Sequence, residues 1–163
     1  MVPGVSAKAQ NQTKLDALDF LTGEWSVEVD WRLSMQGPWE KSTAQSSFTR
    51  TLQNNLIEEE FSGKREGKDF PGRTLFAFNS QTGRYQRVFI DGPHGVLIDF
   101  EGAIENGKII FDRTWAYANG KTAKLSVTST VISDDSFIVE SMRMPETATD
   151  WAVNGRMTYT RIK

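Results

Sequence analysis

The sequence holds no cysteine and a single histidine, His94, among its 163 residues. Without cysteine, a disulfide framework, a zinc ribbon and a thiol nucleophile are all excluded. With one histidine, a Ser-His-Asp triad or a histidine-ligated metal or haem centre would have to be built on His94. Long apolar runs are also missing, and none approaches the roughly 20 residues that span a bilayer. The first ten residues, MVPGVSAKAQ, lack the basic start and apolar core of a signal peptide, so a flexible arm is expected there. The net charge of −2 comes from interspersed residues of both signs, which leaves no basic stripe for nucleic acid. Together these absences predict a cytoplasmic protein with no nucleic-acid or membrane partner, although zero cysteines suits any compartment.

What is present reads as one globular domain, residues 11–163. A hydrophobic fraction of 38% with 25% charged residues is ordinary for a soluble fold of this length. One stretch, 11–21, has helical spacing, with Leu15, Ala17, Leu18 and Leu21 on one side. Thr13 is placed to cap its start and Gly23 to stop it. From there the period changes to two. In Glu24–Leu33, Trp25, Val27, Val29 and Trp31 alternate with Ser26, Glu28, Asp30 and Arg32. Similar runs follow at 39–52, 56–62, 73–79, 84–91, 96–102, 108–117, 123–133, 137–144 and 150–161, separated by turn signals. Asn106-Gly107 and Asn119-Gly120 are strong hairpin signals, since both turn positions there need positive φ. About ten strands in series with no second helix predict an all-β fold, an antiparallel up-and-down barrel whose closure removes exposed edges. A two-sheet sandwich is the alternative. The link at 62–72, SGKREGKDFPG, with three glycines and a proline, is expected to be a mobile loop over one barrel mouth.

The segment LDFLTGEW at 18–25 resembles the Gly-x-Trp opening of lipocalin-like (calycin) barrels. That resemblance implies a tryptophan packed across the closed end, with Arg161 from the last strand stacked on Trp25. A longer series resembles the family called domain of unknown function 1579: EFSGKREGKDFPG at 60–72, FNSQTGRYQRVFIDG at 78–92, the glycine at 102, and the closing Tyr159-Thr160-Arg161. Phe89 stands where that family usually has tryptophan, Asn79 where it has aspartate, and Glu59 where glutamine is expected. The resemblance implies the barrel fold, and its departures imply a ligand unlike the family norm.

A small barrel holds its ligand among alternate residues of each strand. Trp31 lies on the apolar face of the first strand, and Glu59 shares a face with Ile57 and Phe61. Tyr85, Arg87, Phe89 and Asp91 share another, as do Phe111, Arg113, Trp115 and Tyr117, while the last strand offers Trp151, Val153, Met157 and Tyr159. If these faces point inward, aromatic walls surround a few charges, and Glu59 with Arg87 is the first pairing to expect. An interior arginine suits a carboxylate or phosphate, because its fork binds two oxygens at once. The candidate ligand-binding set is therefore Trp31, Arg87, Phe89, Arg113, Trp115 and Tyr117.

The bland reading of these charges is a structural network. Glu58, Glu59 and Glu60 alternate faces and cannot converge on a metal, so Glu58 and Glu60 are expected in solvent. Asp91 is most simply a turn cap beside an exposed His94. A nitrobindin-type haem pocket needs a late-strand histidine, and none follows residue 95. No metal and no cofactor are expected. Three functions stay open: a barrel binding a small, largely apolar or aromatic molecule with or without an acidic group, a cofactor-independent isomerase, cyclase or hydrolase using Glu59 or Asp91 as acid or base, and a filled interaction module, a dimer through a strand face among its options.

Overall fold

The computed structural model describes residues 14–163, and the expected N-terminal arm and Thr13 cap lie outside the described residues. Ten antiparallel strands form one closed barrel in sequence order, β1 pairing with β10. They are β1 (Gly23–Trp31), β2 (Glu40–Thr51), β3 (Leu56–Arg65), β4 (Lys68–Asn79), β5 (Arg84–Asp91), β6 (Val96–Glu105), β7 (Lys108–Ala116), β8 (Thr122–Ser133), β9 (Ser136–Pro145) and β10 (Ala152–Arg161). The sandwich alternative is thereby excluded.

The predicted N-terminal helix is present and closes one end: Lys14 and Leu15 are α-helical and run into a 3-10 helix over Asp16–Leu21. Leu15, Leu18 and Leu21 recur every three residues, and a 3-10 helix stacks such positions on one face. All three are buried. Gly23 does not stop the helix as expected. It opens β1 at φ +125, where an added Cβ would strike the Arg161 guanidinium.

Aromatic rings fill the closed end. Phe137 stacks on Tyr159 at 4.3 Å, and Trp25 meets Phe137 edge-on at 4.8 Å. The Trp25 indole donates to the Leu21 carbonyl at 2.7 Å. Arg161 lies over Trp25 at 4.2 Å, as the calycin resemblance implies, and donates to the carbonyls of Thr22, Phe20 and Asp134.

The expected mobile loop at 62–72 is not one. β3 and β4 run on through it, pairing Ser62 with Pro71 and Arg65 with Lys68. They join through Glu66 and Gly67, both at positive φ, as a two-residue hairpin requires. Asn106-Gly107 makes the same kind of turn, with φ values of 51° and 74°. Asn119-Gly120 does not. Only Gly120 has positive φ there, and the Asn119 side chain accepts from the Lys121 amide inside a longer loop.

Two seams are incomplete: β2 and β3 pair only from Thr51 with Leu56 to Gln45 with Ser62, although both strands run on towards the open end. β6 and β7 pair only from Glu101 with Asp112 to Glu105 with Lys108. Beyond that, towards the open end, no ladder joins the two strands, and the Arg113 side chain donates to the Asp99 carbonyl at 2.9 Å and pairs with its carboxylate.

Candidate functional site

Two adjoining chambers occupy the barrel interior. The outer one, about 200 Å³, is bordered by Trp31, Arg65, Arg87, Phe89, Asp91, Phe100 and Met157, among others. The inner one, about 70 Å³, reaches down to Glu59, Phe48, Phe76, Phe137 and Tyr159. Trp31, Arg65, Arg87, Val139 and Met157 border both. The alternation of β1, β3 and β5 is what aims these side chains inward, since opposite neighbours in an antiparallel ladder share a face.

Glu59 is buried and already occupied. Its Oε1 accepts from the Ser46 hydroxyl at 2.8 Å and from the Tyr159 hydroxyl at 3.0 Å. Burial pushes the Tyr159 phenol well above its ordinary range, and the Glu59 charge and hydrogen bond add to this against a smaller opposing effect of Arg87.

Arg87 makes no direct ion pair with Glu59, contrary to expectation; the Ser46 and Tyr159 hydroxyls bond its Oε1 instead. Among the described residues, the Arg87 guanidinium has no hydrogen bond or ion pair. It lies 5.2 Å from the Phe100 ring and 5.6 Å from the Phe89 ring. Burial lowers its pKa below the ordinary arginine value, and the charges of Glu59 and Tyr159 only partly oppose this.

Arg65, at the end of β3, was hidden from sequence reasoning by the loop assignment. Its guanidinium sits 4.1 Å from the Trp31 ring and 3.9 Å from the Phe70 ring. Burial lowers its pKa too, opposed by Asp91, Glu40 and Glu66. The signal was available: Ile57, Glu59, Phe61, Gly63 and Arg65 keep the period of two. Tyr159 and Ser46 were likewise overlooked as partners of Glu59.

The remaining predicted residues divide. Asp91 caps its turn, its Oδ1 accepting from the His94 amide at 3.2 Å and lying 3.0 Å from the His94 ring, yet it also borders the outer chamber. His94 itself is exposed. Arg113, Trp115 and Tyr117 do not border either chamber. Arg113 bridges the seam between β6 and β7 and lies over Trp115 at 5.1 Å, while Arg143 lies 5.3 Å from Tyr117. Trp151 precedes β10 and is largely exposed. Glu58 and Glu60 point outward and share Arg73, as their alternation predicted. No cluster of potential metal ligands occurs among the described residues.

A closed up-and-down barrel with a hollow, arginine-bearing aromatic interior is the class these features define. The chain belongs to the family described as "Protein of unknown function (DUF1579)", whose model matches residues 10–161. Among solved structures it is similar to the S-type phycobiliprotein lyase CPES from Guillardia theta, with a TM-score of 0.62 and 11% identity over 91% of this chain and 92% of the other. It is also similar to Rv2717c from M. tuberculosis, with a TM-score of 0.61 and 12% identity over 91% and 97% of the two chains. At such identity the likeness concerns the fold. No curated protein matches the chain. No helix among the described residues is long and apolar enough to cross a membrane.

Proposed function

We propose that this barrel binds a small aromatic molecule through an acidic group held by Arg87. One observation carries the reading: an interior guanidinium with no hydrogen-bond acceptor or ion-pair partner among the described residues stands in a chamber of about 200 Å³. An unpaired interior charge costs several kcal/mol, and a bound carboxylate or phosphate relieves that cost with two parallel hydrogen bonds. The size fits. A cavity of about 150 Å³ accommodates benzene, so this chamber suits one substituted ring. Trp31, Phe89 and Phe100 supply its aromatic walls. A hollow interior disfavours the filled interaction module. The cytoplasmic location belongs to this proposal, resting on the composition alone.

Titration calorimetry with benzoate and with benzyl alcohol tests the reading. Benzoate is expected to bind and the alcohol much more weakly. Arg87→Met should weaken benzoate at least about tenfold, the worth of a charge-assisted hydrogen bond. Benzoate binding that ignores Arg87→Met would overturn the proposal.

Glu59 favours a second, catalytic reading, since it places a buried carboxylate against the inner chamber. Glu59→Gln separates the two. Turnover of a bound ligand that stops in this variant, with binding preserved, would make Glu59 an acid or base.

A further inference from the structure

A second guanidinium, that of half-buried Arg65, stands at the mouth of the same space. Among the described residues, Arg65 has neither a hydrogen bond nor an ion pair, only the faces of Trp31 and Phe70 on which it lies. Each guanidinium carries five N–H donors in a fixed fork, and neither fork is filled. The acidic groups bordering the chambers are otherwise engaged: Glu59 with Ser46 and Tyr159, Asp91 with His94, and Asp30 with Lys41 at 3.6 Å. Lys64 also borders the inner chamber, on the same strand as Arg65.

The two arginines approach from different depths. Phe61, Gly72 and Asp91 form one row across β3, β4 and β5. Arg65 leaves β3 four residues towards the mouth from that row, and Arg87 leaves β5 four residues towards the closed end. The two backbones are thus offset by eight residues along the strands, about 26 Å, yet both side chains border both chambers, so each reaches into the shared space from its own end. The aromatic sandwich holds the Arg65 head in position, which reduces the ordering a ligand must impose.

We infer that the ligand is a two-headed aromatic acid, with one anionic group on Arg87 in the depth and a second on Arg65 at the mouth. This rests on the proposed binding function and adds the charge and length of the molecule. A monoacid would fill one fork and leave the other empty. Two acidic groups on adjacent ring positions would reach only one depth.

Calorimetry with benzoate, phthalate and terephthalate tests this on the full chain. Terephthalate, with carboxylates at opposite ends, should bind at least about tenfold tighter than benzoate. Phthalate, with its carboxylates adjacent, should fall near benzoate. Arg65→Met should bring terephthalate down to the benzoate level of the same variant, while Arg87→Met should weaken both. Circular dichroism confirms that each variant folds. Equal binding of benzoate and terephthalate, or a preference for phthalate, overturns the two-headed ligand while the binding barrel stands. Failure of all three acids to bind overturns both.

Discussion

Replacing Arg87 by methionine should make the protein more stable while weakening acid binding. Methionine has a similar length and no charge to desolvate. The native side chain forfeits its hydration, and in return it receives the field of Glu59 and two ring contacts at 5.2 and 5.6 Å. Ring contacts that long are worth about 0.5 kcal/mol each, and no hydrogen bond is lost. Glu59 keeps both hydroxyl donors after the substitution. Burying an ion costs several kcal/mol, and removing one that has no hydrogen-bonded partner recovers that cost, less the field it exerted on Glu59. A gain of about 1 kcal/mol is expected, or a rise of about 2–4 °C in Tm for a chain of this size. Urea unfolding followed by tryptophan fluorescence measures it. A loss above about 1 kcal/mol would show that Arg87 holds the fold together, and the case for an anion site would fail with it.

Three further outcomes are expected. Tyr159 keeps its proton in the folded state when an ordinary phenol, of pKa 10.0, would release it. The native state therefore binds more protons above about pH 10, and stability should fall there by about 1.4 kcal/mol per pH unit for this group. Burial raises Tyr85 in the same direction, so in urea titrations between about pH 9 and 11 Tyr159→Phe should lessen the slope without removing it. Arg161→Ala removes the fork that joins the 3-10 helix to the barrel and should cost about 2–4 kcal/mol in chemical denaturation, with Arg161→Lys in between. Gly102→Ala drives a methyl group into the Ile110 carbonyl and the Phe111 ring, and should cost about 3 kcal/mol or more. A melting temperature within a few degrees of the parent would contradict that collision.

Strand order and closure were legible because strands such as β1 and β2 alternate and most connections between consecutive strands are short. The 62–72 stretch misled because its glycines read as loop punctuation, although only Gly67 is a turn residue. Gly63 lies under the Phe61 ring and Gly72 under the Phe89 ring, inside paired strands where a side chain would crowd them. Reading them as loop residues removed Arg65 from view. Trp31, Arg87 and Phe89 do meet around one chamber, since β1 and β5 keep their register with both neighbours. Arg113, Trp115 and Tyr117 follow the same alternation but lie where β7 has parted from β6. Where two strands separate is a tertiary matter that a period of two cannot encode.

That separation also divides the barrel by rate of opening. Along most of its circumference an amide reaches water only if a continuous ladder breaks. At the seam, side chains alone join β6 to β7, through Arg113 and Asp99. Amides facing across it should therefore exchange their hydrogens through a small local opening, while those in the complete ladders wait for global unfolding. The wall parts towards the open end along two lines, and the one between β6 and β7 runs past Phe100 and Ile98, two residues bordering the outer chamber.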